Sequence, residues 1–277
     1  MARVNRLVVM TDNLLDQSRE DLLSRAIETA DGELMLVSPS EETLAHLVDV
    51  LADHEGRVDV LAEPATVKTV MDDFIVASNA ADLIASDRLS LRTSDALATN
   101  PLLISSLSVM TLVTTDTSVS GLVSEDESFV DDVRSEYRDQ WAAAEEYSLR
   151  TPPRTEVDEE LAESLGEDAE RDFQAMLGSL ETARGDDGID EVTASLLVAA
   201  KNEALLYDIS KWGEDTGVAS KATFSRTKTK LEEEGLIETE KVPIEVGRPR
   251  LRLTLADERL QSADSDQIVT AAQSLLT

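Results

Sequence analysis

Two hydrophobic periods run through the first half of the chain. Leu22, Leu23, Ala26, Ile27 and Ala30 form a stripe at helical spacing, and Glu33–Val37 (ELMLV) is an apolar run suited to a buried strand. Leu44, Leu47, Val48 and Leu51, at i, i+3, i+4 and i+7, predict a second helix with Ser38 or Ser40 as its cap. Arg57–Ala62 predicts a second strand. After Pro64, the residues Val67, Val70, Met71, Phe74 and Ile75 predict a third helix. Branched and polar residues then mix at 89–92, 102–105, 109–114 and 119–123, as in antiparallel strands. Phe129, Val133, Tyr137 and Trp141 recur every fourth residue on a closing helix. The strand–helix–strand opening predicts a parallel core, and the whole an α/β domain over residues 1–150: a mixed sheet with flanking helices.

Thr151-Pro152-Pro153-Arg154 cannot continue a helix and marks a junction. Beyond it, residues 151–188 form an acidic segment with Leu161, Leu165, Phe173, Met176, Leu177 and Leu180 at helical spacing. This reads as one long helix ending at Gly185-Asp186-Asp187-Gly188, its apolar side open to a dimer partner or to its own chain. From Ile189 the pattern changes. Val192, Leu196, Ala199 and Ala200 mark a helix; 205–207 reads as a short extended piece; another helix starts near Ile209 and ends at Gly217. Ser220 caps a helix over 221–234, with Phe224, Thr227 and Leu231 on one side and Lys221, Thr223, Ser225, Arg226, Lys228 and Lys230 on the other. Gly235 stops it, and Leu236-Ile237 opens a hairpin that turns near Gly247 and returns through 251–255. In the tail, 257–277, Ile268, Ala272, Leu275 and Leu276 predict a last helix, a possible dimer contact.

Charge sharpens this division. The 277 residues carry 57 Asp+Glu against 25 Lys+Arg, a formal net charge of −32. Dense carboxylates, scarce lysine and few aromatics suit a cytoplasm at molar salt, where a Debye length of about 3 Å screens acidic self-repulsion. The informative places are those where acid is missing. Six of the seven lysines lie between Lys201 and Lys241, and residues 200–255 balance ten cations with ten acids. Ser220–Lys230 holds four cations and no acid; Gly247–Leu253 holds Arg248, Arg250 and Arg252 and no acid. Such a patch tolerates an anionic partner.

Helix, short strand, helix, glycine turn, basic helix and hairpin, over residues 189–256, resemble an α+β winged helix-turn-helix. The string Ser220-Lys-Ala-Thr-Phe-Ser-Arg226, with Lys230-Leu-Glu-Glu-Glu-Gly-Leu-Ile237 after it, resembles the recognition helix and following strand of many prokaryotic regulators. Gly247-Arg248-Pro249-Arg250 resembles their basic wing tips. The planar fork of Arg226 matches guanine O6/N7 or a phosphate bidentately. Thr223 and Ser225 are short enough for close contacts, while Ser220 opens a helix N-terminus facing phosphate. Lys221, Lys228 and Lys230 are placed for phosphates, and Arg248 and Arg250 for the neighbouring minor groove or backbone. A solvated helix face paired with Glu232–Glu234 is the bland alternative. With its N-terminal α/β domain, Pro-Pro junction and acidic helix, the chain resembles the haloarchaeal TbsP regulator family, most closely from Leu206-Tyr-Asp-Ile-Ser-Lys-Trp212 through Arg252. The resemblance implies a transcription regulator associated with control of central carbon metabolism that binds double-stranded DNA. The unfilled apolar stripes add the expectation of a homodimer, and the lack of a signal pattern or span that of a cytoplasmic protein. The N-terminal half is similar to the phospholipase-D-like sensor domain of TrmB regulators. It lacks that fold's His-x-Lys: His46 precedes Leu47-Val48, and His54 precedes Glu55-Gly56.

Other chemistry is thin. Zero cysteines exclude disulfides and thiolate metal sites, and two histidines eight residues apart predict surface residues rather than a metal centre. No phosphate loop, nucleophile elbow, cofactor motif, signal pattern or membrane span is legible. Ser38 and Ser40, where an α/β sheet offers a crevice, are the candidates for a small-molecule effector, with helix capping the simpler alternative. Two further readings stay open: an enzymatic N-terminal domain with a docking winged helix, and an adaptor whose basic face meets an acidic protein.

Overall fold

The computed structural model describes residues 14–30, 32–95, 97, 100–114, 119–180, 182–184, 189–243 and 249–276, with the side chains of 14–17 and 276 excepted. It divides into two compact units, one of residues 1–70 and 83–148, the other of 71–82 and 149–277.

In the first unit, eight strands among the described residues form one mixed sheet in the order β1-β7-β6-β5-β2-β3-β4-β8. The centre is parallel: β2 (Glu33–Val37), β3 (Arg57–Ala62) and β4 (Leu89–Thr93) run side by side. Between them come α1 (Arg19–Thr29) before β2, α2 (Glu41–Asp53) after it, and α3 (Pro64–Met71) after β3. Ser18 caps α1 in a reciprocal capping box with Asp21, and Ser40 caps α2. β5 (Leu102–Ile104), β6 (Val109–Thr114) and β7 (Val119–Ser124) continue antiparallel beyond β2, as their alternation predicts. Two strands carry no readable signal: β1 (Leu14–Gln17), paired to β7, and β8 (Glu145–Glu146), two acidic residues on the outer side of β4.

α5 (Glu127–Ala143) lies over Val37, Leu61, Ile104 and Val109 with Val130 and Tyr137. The four-residue repeat is off by one at its start, since Val130 is buried and Phe129 is 48% exposed. The third helix is also not single. α3 stops at Met71 and α4 (Phe74–Ala85) begins afresh, with the Asp73 carboxylate accepting from the Ile75 N–H at 2.9 Å.

In the second unit the acidic segment is two helices, α6 (Arg154–Leu165) and α7 (Glu167–Gly178), broken at Gly166, which takes φ +101°. Their apolar side is spent within the chain. Val157, Leu161, Phe173, Met176 and Leu177 are buried in one core with α8 (Glu191–Lys201) and α9 (Leu206–Asp215). Phe173 meets Trp212 edge-on at 5.9 Å, and the Trp212 indole N–H donates to the Val157 carbonyl at 3.3 Å. The segment is therefore part of the helix-turn-helix core. α10 (Lys221–Glu233) ends one residue before the predicted limit; β9 (Ile237–Val242) and β10 (Arg250–Leu255) form the hairpin, and α11 (Glu258–Gln261) leads to α12 (Ser265–Leu276). The extended piece at 205–207 shrinks to one bridge, Leu205 with Arg252, because α9 already starts at Leu206. Ile268, Val269 and Ala272 of α12 are buried in the same core with Leu275 partly buried against it, so the described part of this stripe is occupied by its own chain; the Leu276 side chain lies outside the described residues.

Candidate nucleic-acid interface

α10 is held from beneath and presented outward. Phe224 and Leu231 are fully buried, anchoring one side. Phe224 reaches its depth because α9 carries glycine where they cross: a Cβ on Gly213 would stand 2.2 Å from Phe224 Cε2. Gly217, at φ +83°, makes the turn between the two helices. Ser220 Oγ accepts from the Thr223 N–H at 3.2 Å, capping α10, and lies 3.0 Å from Thr223 Oγ1.

The predicted cations fall into two groups. Lys221 is paired with Glu214, Lys228 with Glu232 at 2.6 Å, and Lys230 with Glu234 at 4.0 Å. Lys228 is the most buried of these, and its partner Glu232 also accepts from Thr239 Oγ1 at 2.6 Å, tying α10 to β9. The Glu232 carboxyl sits below its ordinary range: burial opposes ionisation, but the bonds from Lys228 and Thr239 outweigh it. Carboxylate pairing is thus real for three lysines. The pairs of Lys221 and Lys230 are exposed and weak, so phosphates can replace those carboxylates at small cost, whereas Lys228 is held in place by its half-buried pair. Arg226 differs. It is exposed and has no carboxylate partner among the described residues; its only polar neighbour is Thr223 Oγ1, at 3.5 Å. Ser225 is exposed beside it.

Arg250, at the start of β10, stacks over the Tyr207 ring at 4.2 Å and lies 3.5 Å from Asp208. Arg248 and Gly247 fall outside the described residues. Tyr207, Lys221, Ser225 and Arg250 line a groove of about 270 Å³ between α9, α10 and β10. The sequence does not mark Tyr207 as a site residue, since 205–207 reads as strand. An aromatic beside the basic string, in a chain only 3% aromatic, was the available signal.

The effector candidates lie in the first unit. Ser40 Oγ is engaged as a cap, accepting from the Thr43 N–H at 3.2 Å. Ser38, at φ +50°, donates its N–H to the Leu61 carbonyl at 2.9 Å, and its hydroxyl is buried without a partner. His46 lies 2.8 Å from Glu20 and 3.9 Å from Glu42, and His54 3.4 Å from Glu28, so the two histidines have separate carboxylates. Among the described residues no three His, Asp or Glu side chains converge to hold a metal, and no helix is long and apolar enough to cross a membrane.

The chain combines a mixed α/β unit with a helix-turn-helix unit that carries its basic surface on a capped helix. The chain belongs to the TbsP-like transcriptional regulators: the N-terminal family model matches residues 11–152, and the C-terminal helix-turn-helix model residues 153–273. Among solved structures it is similar to TrmBL2, described as an archaeal chromatin protein with a novel mode of DNA binding. That similarity has 14% identity and a TM-score of 0.36, covering 52% of this chain and 57% of TrmBL2. No curated protein matches in sequence.

Proposed function

We propose that this regulator binds double-stranded DNA sequence-specifically as a homodimer, reading base edges with Arg226 in a cytoplasm at molar salt. The carrying observation is that Arg226 is exposed on a capped helix and free of carboxylates among the described residues. Ser220, Thr223 and Ser225 line the approach to the groove; Lys221, Lys230 and Arg250 face phosphates, Lys228 braces α10 against β9 through Glu232, and Arg248 is assigned to the wing contact from the sequence alone. At molar salt, counterion release contributes little, so affinity leans on base contacts, shape and water. Loss of Arg226 then costs more than loss of any single lysine. The test is a fluorescence titration in molar KCl against sites recovered by genome-wide immunoprecipitation. Arg226→Ala abolishes specific binding; unchanged occupancy removes Arg226 from the reading role, and immunoprecipitation without motif-bearing peaks favours a protein adaptor.

The first unit serves as sensor and dimer module, without catalysis of its own, in the control of central carbon metabolism. Ser38 supports an effector at the strand ends, since its hydroxyl is buried and unpartnered. For the dimer, support comes from an uncharged part of the sheet. Residues 97–124 hold a single charged residue, Asp116, and Leu107, Val113 and Leu122 are 61%, 45% and 52% exposed. Val113 and Leu122 share one face, because Leu122 pairs with Thr111, two residues from Val113. Two copies of so acidic a chain repel through most of their surface but not here.

A further inference from the structure

Between the sheet and α5, the first unit holds a cavity of about 220 Å³, room for a small metabolite rather than one or two waters. Met35 and Asp59 form its floor, paired across β2 and β3 and therefore on one face. Its roof is Arg134, Tyr137 and Trp141, spaced three, four and seven apart on one side of α5. The Trp141 ring is fixed from behind by the Arg92 guanidinium, 5.1 Å from its centroid, which also donates to the Trp141 carbonyl at 2.8 Å.

The polar groups on the roof of this cavity are unspent. Arg134 is partly buried and makes no ion pair or hydrogen bond among the described residues, although the chain has more than twice as many carboxylates as cations. The Tyr137 hydroxyl and the Trp141 indole N–H have no partner among the described residues either. Asp59 Oδ1 is buried without a hydrogen bond, its nearest cation being Arg57 Nε at 3.5 Å. Burial pushes the Asp59 carboxyl above its ordinary range, and the long contact with Arg57 and the neighbouring Ser90 do not offset it. Arg134 and Asp59 thus line one cavity with opposite signs, and no ion pair joins them. An anion alone would satisfy Arg134 and repel Asp59; a cation alone would do the reverse.

We propose that this cavity binds a small zwitterion of the α-amino-acid type with an apolar side chain. Its carboxylate accepts from Arg134, Tyr137 and Trp141; its ammonium donates to Asp59; its hydrocarbon part lies against Met35 and the Trp141 ring. Glu33 and Arg138, 4.0 Å apart at the margin, cancel one another and leave the interior pair to select the ligand. This site is distinct from Ser38 and Ser40, and it stands whether or not α10 reads DNA as proposed, because the test contains no DNA.

The experiment is calorimetric titration of the full chain in molar KCl with the common L-amino acids, and with acetate, a primary alkylamine and inorganic phosphate as single-charge probes. At least one apolar L-amino acid binds saturably, and the single-charge probes do not. Arg134→Gln and Asp59→Asn each weaken that binding at least about tenfold, with the circular dichroism spectrum unchanged. Met35→Trp, which fills the cavity, blocks it independently. Absence of saturable binding by any amino acid overturns the proposal, as does equal binding by phosphate alone or binding that survives all three substitutions.

Discussion

Arg226 and Lys228 stand two residues apart on α10 and have different surroundings. Lys228 turns toward Glu232 and is largely buried, whereas Arg226 stays in solvent with no carboxylate partner among the described residues. Their shared basicity was legible in the sequence; which of them a partner could reach was not, since that depends on where β9 returns. Glu191 shows the same dependence on surroundings. It opens α8, where a helix N-terminus favours negative charge, yet burial pushes its pKa up to about 7, with Asp190, Asp73 and Asp72 adding to the effect. The folded form therefore holds a proton that the unfolded form releases between about pH 4.5 and 7. Stability falls as pH rises through that window, and the full penalty remains above it. Glu191→Gln removes the penalty. The unfolding free energy from denaturant titration should rise in the variant at pH 8, by up to about 3 kcal/mol, and coincide with the parent at pH 4. An equal shift at both values would refute the assignment.

At the scale of elements, the crossing of α9 and α10 sets how the basic helix is displayed. Gly213→Ala gains about 1 kcal/mol of helix propensity, but its Cβ falls within 2.5 Å of two Phe224 ring atoms. Overpacking of this kind costs about 1–3 kcal/mol, so the clash wins. Thermal unfolding should show a lowered midpoint, and DNA titration a loss of affinity with Arg226 intact. The acidic helices teach a related lesson. Their apolar stripe was readable, but its partner was not: Phe173 is buried against Trp212, nearly forty residues away. Phe173→Ala should cost about 3–5 kcal/mol in equilibrium unfolding, whereas a stripe serving only a dimer would leave the monomer's stability unchanged. β1 and β8 escaped reading for a plain reason. Glu145–Glu146 has no hydrophobic alternation, and it is a strand only because β4 offers an unpaired edge.

For the whole molecule the governing quantity is the net charge of −32. At 0.1 M salt the Debye length is about 10 Å, and it falls to about 3 Å at 1 M. The melting temperature should therefore climb steeply as KCl is raised from 0.1 M into the molar range; a flat response would remove the high-salt reading. The same repulsion confines self-association to uncharged surface. Val113→Glu or Leu122→Glu should halve the mass measured by light scattering in molar KCl, and a dimer unaffected by either places the contact elsewhere.

Sequence alone determined the mixed α/β sheet with its parallel centre, the capped basic helix and its hairpin, because these follow from local periods, capping residues and the places where acid is absent. Tertiary structure decided what each apolar stripe meets, which cations are neutralised, and which polar groups are left facing a cavity. Those outcomes depend on residues far apart in the chain, such as Met35 beneath Trp141 and Gly213 beneath Phe224. No window along the sequence contains both partners, so only the fold can bring them into contact.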